Sequence, residues 1–127
     1  MDVYQVAQHA DDLDRATEFY TGVLGGELIA SFEPPGLVFI RLGTVRLLLD
    51  RAAPSALIYL RVDDVSEQTK DLAAKGVEID TEPHGIFVDA DGAFGEPGWA
   101  ERMAFIRDSE GNLVGLASRH PPAGKAG

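Results

Sequence analysis

The chain carries one structural plan twice, and that duplication limits its fold more than any other feature. Residues 57–76, LIYLRVDDVSEQTKDLAAKG, read as a strand, an acidic turn and a helix, and residues 5–26, QVAQHADDLDRATEFYTGVLGG, repeat the plan. Aligned on the acidic pair, Val6, Asp11, Asp12 and Leu13 match Ile58, Asp63, Asp64 and Val65. The match continues downstream. Phe39-Ile40-Arg41 leads through Gly43 into an apolar run at 45–49, and Phe105-Ile106-Arg107 leads through Gly111 into another at 113–117. Solenoids need about three copies or more of such a repeat. Two copies of mixed strand and helix instead predict an α+β domain of paired βαβββ modules, over about 3–51 and 56–118, within a single domain at 1–120.

Local signals support each half. In the first, a strand is expected at 3–10, and Asp11-Asp12 caps a helix at 13–24 that Gly25-Gly26 ends. Strands at 27–32, 38–42 and 45–50 complete it. A short connector containing Pro54 leads to a fifth strand at 57–62. Asp64 with Glu67 three residues on opens a second helix, which runs to Gly76. A sixth strand is expected at 77–81, then a Gly-rich loop at 82–101 bearing His84, Phe87, Phe94 and Trp99; loops this long are often functional. Strands at 103–107 and 113–118 form the last hairpin, and 121–127 read as a flexible tail.

Composition narrows the function classes. The 127 residues are 45% hydrophobic and 25% charged, and the net charge is -10, an acidity that argues against nucleic acid as a partner. Cysteine is absent, which removes disulfides, thiolate nucleophiles and cysteine metal sites. No apolar run suggests a signal peptide or a membrane span, so a cytoplasmic protein without a membrane partner is expected.

Strand parity assigns faces. The face of each sheet toward its helix must be apolar, which suits Val38, Ile40, Ile58, Leu60, Ala104 and Ile106. The opposite, concave face then carries Phe39, Arg41, Tyr59, Arg61, Phe105 and Arg107. Matching the first strand to the fifth adds Gln5 and His9. With Trp99 from the loop, these residues predict a ligand pocket with aromatic walls and polar anchors. Two accounts of the arginines stand side by side: surface ion pairs with the many acids, or recognition of a ligand carboxylate or phosphate. Phe94 and Trp99 are read as a lid or as loop anchors. The acidic pairs before both helices are caps rather than catalytic carboxylates.

The Asp-Asp-Leu/Val caps, the EFYTGVLG helix at 18–25 and the DSEGNL turn at 108–113 resemble the vicinal oxygen chelate superfamily, over roughly residues 3–118. That group includes glyoxalase I, bleomycin-resistance proteins and extradiol dioxygenases. The resemblance implies a homodimer and a cleft between two curled modules. It also implies a divalent metal held from the first and fourth strands of each half. Carried over residue by residue, those positions are Gln5, Leu47, Leu57 and Gly115. Glutamine serves as a ligand in some glyoxalase I enzymes, but leucine and glycine side chains offer no donor, and Leu48, Leu49, Val114 and Leu116 are apolar too. The expectation is a small-molecule-binding protein without metal or other cofactor, of the resistance type that sequesters its ligand. The alternative is a superfamily enzyme, a lyase, isomerase or dioxygenase. It would use a displaced metal site at His9 and His84 or acid–base chemistry at His9.

Overall fold

The computed structural model describes residues 1–122. The repeat is realised in full. β1 (Gln5–His9), α1 (Leu13–Glu18), β2 (Glu27–Phe32), β3 (Leu37–Leu42) and β4 (Val45–Asp50) form the first half. β5 (Ile58–Arg61), α2 (Val65–Ala74), β6 (Ile79–Asp89), β7 (Trp99–Arg107) and β8 (Leu113–His120) form the second. The two four-stranded sheets have equivalent strand orders, β1-β4-β3-β2 and β5-β8-β7-β6, each with its first and fourth strands parallel. The chain divides into two compact units, Met1–Leu57 with Asp108–Asn112, and Ile58–Arg107 with the residues from Leu113 on. The turn Asp108–Asn112, expected in the second module, therefore belongs to the first unit. Of the expected tail, 123–127 lie outside the described residues. Among the described residues no helix is long and apolar enough to cross a membrane.

The caps form as the sequence predicts. The Asp12 carboxylate accepts the Arg15 N–H at 3.0 Å, and Asp64 accepts those of Ser66 and Glu67, satisfying amides that have no partner within the helix. The first helix is not uniformly α. After Glu18 it widens into a π turn at Phe19–Val23, closed by the Leu24 N–H donating to the Phe19 carbonyl at 3.0 Å. Thr17 and Thr21 hydroxyls donate back four residues to Leu13 and Thr17 carbonyls, an arrangement that bends helices. The wider turn rotates sequence neighbours toward a common face. Phe19 and Tyr20 are accordingly both buried, their rings meeting edge to face at 5.5 Å.

The expected loop at 82–101 is mostly strand. β6 continues to Asp89 and β7 begins at Trp99, leaving 90–98 as the connection. Pro83 and Gly85 mimic a loop in sequence, but β6 is an edge strand, where proline has no ladder bond to forfeit. Register shifts between Thr81 and His84 and between Gly85 and Phe87 absorb the irregularity.

Each core lies between sheet and helix. In the first unit Ala10, Leu13, Ala16, Phe19, Tyr20, Val38, Ile40, Leu47 and Leu49 are buried. In the second Val65, Leu72, Ala104, Ile106, Val114 and Leu116 are. The face assignment from parity holds on β1, where Gln8 is buried and its amide donates to the Tyr20 hydroxyl at 3.4 Å.

Candidate functional site

In the first unit, the sheet face turned away from α1 carries Gln5 and His9 on β1 and Phe39 and Arg41 on β3, as expected. It also carries Arg46, which the sequence reading overlooked. Gln5 pairs with Arg46 and Val6 with Leu47. Leu47 is wholly buried on the helix side, so it cannot be the fourth-strand counterpart of Gln5. The second half corrects the position: Val6 with Leu47 corresponds to Ile58 with Val114, so Leu48 is the counterpart of Gly115. Alternation alone shows that if Leu47 and Leu49 are core, Arg46 and Leu48 face the other way.

Arg46 is held from several directions. Its Nε–H donates to Gln5 Oε1 at 2.8 Å, and its guanidinium carbon lies 4.3 Å from the centre of the Tyr4 ring and 5.0 Å from that of Phe39. Such cation–π contacts are worth about 0.5–2 kcal/mol each. Arg41 is its register partner on β3. A groove of about 540 Å³ opens there, bordered by Tyr4, Ile29, Arg41, Val45 and Arg46, with Asp2 at its rim.

His9 is committed elsewhere. Its Nε2 lies 2.8 Å from Asp11 Oδ1 and its Nδ1 3.1 Å from the Ala53 carbonyl. The hydrogen bond to Asp11 raises its pKa above the ordinary 6.5. Both ring nitrogens thus face acceptors and favour the imidazolium, which is neither a metal ligand nor a base.

In the second unit, Tyr59, Arg61 and Phe105 lie on the face predicted for them. Tyr59 and Phe105 meet edge to face at 5.9 Å. Tyr59 and Arg61 line a groove of about 570 Å³ with Asp63, Phe94, Glu101 and Met103, a volume within the usual range for small-ligand sites, about 300–1,000 Å³. Arg107 is not a free anchor: it binds Asp80 through Nε at 3.1 Å and Nη2 at 2.9 Å. The Thr81 hydroxyl and then Arg107 hold the Asp80 pKa down. Trp99 opens β7 opposite Asp89 and is not on the loop. The loop's aromatic is Phe94, 71% exposed. Buried Asp89 fixes that loop, accepting the N–H groups of Ala93 at 2.7 Å and Phe94 at 2.9 Å and pairing with Arg119 at 2.8 Å. Burial pushes the Asp89 pKa up, but these donors bring it net below its ordinary value.

The residues at the four family metal positions do not fit a metal. Leu48 and Leu57 have no donor atom, and the Gln5 oxygen already accepts from Arg46. A Cβ on Gly115 would lie 2.5 Å from Tyr59 Cδ2 and 3.2 Å from Phe105 Cε1, so aromatic carbon fills the space a ligating side chain would need. Nor do three or more His, Asp or Glu side chains cluster as a metal site among the described residues.

One ionic feature of the first unit carries a pH prediction. The Glu110 carboxylate, 1% exposed, accepts the Arg15 Nε–H at 2.6 Å and Nη2–H at 3.0 Å, and the Asp12 amide at 2.9 Å. The Arg15 hydrogen bond is the main cause holding its pKa at about 2, against an ordinary 4.5. A folded-state value below the unfolded one stabilises the fold at pH above the unfolded pKa. That contribution should fade as pH falls from about 4.5 through about 2. With Arg15 half in solvent, about 1–2 kcal/mol is expected. Denaturant melts of wild type and Glu110→Gln at pH 7 and pH 3 measure it: the difference between the two proteins should shrink in acid. An unchanged difference would contradict the assignment.

A duplicated βαβββ unit with opposed apolar and decorated faces defines a glyoxalase-like class of protein. The chain matches the family described as Glyoxalase/Bleomycin resistance protein/Dioxygenase superfamily over residues 3–116, and it belongs to that family. No curated protein sequence matches it. Among solved structures it resembles TnmS3, an antibiotic binding protein from Streptomyces sp. CB03234 (TM-score 0.71, 22% identity, 97% of each chain covered). It is similar to a superfamily member from Sphaerobacter thermophilus DSM 20745 (TM-score 0.70, 18% identity, covering 93% of this chain and 97% of that one). It is also similar to a lactoylglutathione lyase from Agrobacterium tumefaciens (TM-score 0.63, 25% identity, 92% of each chain).

Proposed function

We propose that this is a cytoplasmic, homodimeric small-molecule-binding protein that holds its ligand without a divalent metal, in the manner of resistance proteins that sequester a compound. The observation that carries this reading is the chemistry at the family metal positions: Leu48, Leu57 and Gly115 lack donors, and the Gln5 oxygen is engaged by Arg46. The sheet faces around them nonetheless keep exposed aromatic and cationic side chains, which a merely structural face would not need. Tyr59, Phe94 and Arg61 supply stacking surface and a cation in one groove. TnmS3, which shares this fold, is an antibiotic binding protein, which supports a small-molecule ligand, and the exposed rings of Tyr59 and Phe94 favour one with a flat apolar part. Apolar Leu28 and Phe32, exposed on edge strand β2, offer a surface for a second copy.

Calorimetric titration against a panel of aromatic antibiotics, with and without EDTA, tests the reading. Binding unaffected by EDTA and weakened about tenfold by Tyr59→Ala is expected. Stoichiometric metal in protein purified without chelators, with binding or turnover that depends on it, would instead support the enzyme reading. Light scattering on the same samples should give twice the chain mass, and cell fractionation should recover the protein with soluble cytoplasmic markers.

A further inference from the structure

Arg46 and Arg41 are register partners on adjacent strands of one sheet face. Like charges placed this way repel and destabilise a sheet unless something neutralises them. Among the described residues neither arginine has an ion pair. Glu27 is the register partner of Arg41 on β2, and Asp2 stands at the groove rim, yet neither reaches ion-pair distance. Arg46 is also pre-organised. Gln5 holds its Nε–H and two rings pack against its guanidinium, leaving the Nη1 and Nη2 edge without a hydrogen bond. That edge presents parallel N–H groups in the spacing that matches two oxygens of an oxyanion. The fixation removes much of the rotamer entropy an arginine ordinarily loses on binding.

We propose that the groove at Arg46 and Arg41 is an oxyanion-recognition site for a carboxylate or phosphate borne on a small molecule with an apolar body. The oxyanion sits on the Nη edge of Arg46, Arg41 adds the second charge, and Tyr4, Ile29 and Val45 take the apolar body. Gln5 is a positioning residue that acts through Arg46. The site rests on the reading above, that these faces take small molecules, and it adds the chemical group that is recognised. Local charge decides here against the net charge of -10, because a groove responds to the groups that line it.

The test uses three probes of one shape: 2-naphthoate, 2-naphthyl phosphate and the neutral 2-naphthamide. Each is titrated into the full chain while the Arg46 Nε–H resonance is followed by NMR. Naphthoate or naphthyl phosphate should move that resonance and bind about tenfold or more tightly than naphthamide. Whichever of the two binds more tightly identifies the group. Arg46→Gln should abolish the preference for the anion. Arg46→Lys, which keeps the charge but not the fork, should recover only a minor part of it. Asp2→Asn should strengthen anion binding by removing a competing carboxylate. Equal affinity for the amide and the anions, or an Arg46→Gln variant that keeps the preference, would overturn the oxyanion site and leave the binding function intact. If no probe binds here and no panel compound binds the Tyr59 groove, both proposals fall together. Native circular dichroism and a cooperative thermal transition in the Arg46 variants, at whatever melting temperature, separate loss of recognition from loss of fold.

Discussion

Asp108→Ala should cost about 3–4 kcal/mol of stability, the largest loss expected from any single side-chain truncation considered. Asp108 is 6% exposed and almost all its capacity as an acceptor is used. Oδ1 takes the Glu110 and Asn112 amides, both at 2.8 Å, and Oδ2 takes the Tyr20 hydroxyl at 2.7 Å and the Asn112 side-chain amide at 2.9 Å. Alanine would leave these donors without their acceptor, the Tyr20 hydroxyl buried and the turn donors partly so, and each orphaned buried donor costs about 1–3 kcal/mol. The full sum is not reached because the turn can relax. Burial and then the Asp108 charge push the Tyr20 pKa well above its ordinary value, so the tyrosine stays a hydroxyl and must donate. Tyr20→Phe should therefore cost less, about 1–2 kcal/mol, since it removes the donor itself. In that background Asp108→Ala should be milder than in wild type. Urea unfolding of the four proteins in the cycle checks this. An Asp108→Ala protein within about 1 kcal/mol of wild type would show that the cluster does not organise the first unit.

That cluster also marks how far the sequence could be read. The duplicated plan was legible because its signals are local: alternation assigns faces within a strand, and Asp12 and Asp64 announce caps next to the helices they serve. The conserved spacing of the two halves even fixed the parity of β1, which was ambiguous alone. Reading failed where a residue's partner lies far along the chain or where a local signal has two structural meanings. Tyr20 meets Asp108 across 88 positions and Arg107 meets Asp80 across 27, and no periodicity announces either pair. Pro83 and Gly85 signal a loop and an irregular edge strand equally well, so β6 beyond Thr81 reads as loop in sequence, and Trp99 with it. Arg46 was different, because its signal was present. Taking Leu47 as the concave residue of β4 contradicted the alternation that buries Leu47 and Leu49, and respecting it would have placed Arg46 beside Gln5 from the outset.

Replacing Gly115 with glutamate should destabilise the second unit by about 3 kcal/mol or more, and removing the Tyr59 ring should recover at least half of that. Gly115 lies on central strand β8 between Tyr59 on β5 and Phe105 on β7, its register partners on either side. The absence of a side chain lets both rings lean over it, and a Cβ there would come within 2.8 Å of two Tyr59 ring carbons. Overpacking of this kind costs about 1–3 kcal/mol, and a carboxylate pressed against two rings adds desolvation without a partner. Tyr59 is 51% exposed, so in wild type it could swing outward, but only by giving up its edge-to-face contact with Phe105, worth about 0.5–1.5 kcal/mol. In a Tyr59→Ala background the same glutamate would meet the Phe105 ring alone, 3.2 Å from its Cβ. Gly115→Ala should follow the same pattern at about half the cost. Equal penalties for Gly115→Glu with and without Tyr59 would mean that the ring does not occupy this position. A coupling of the expected sign ties the absent ligating side chain to the aromatic face: the side chain that would have reached for a metal is excluded by the ring that, in the proposed function, meets the ligand.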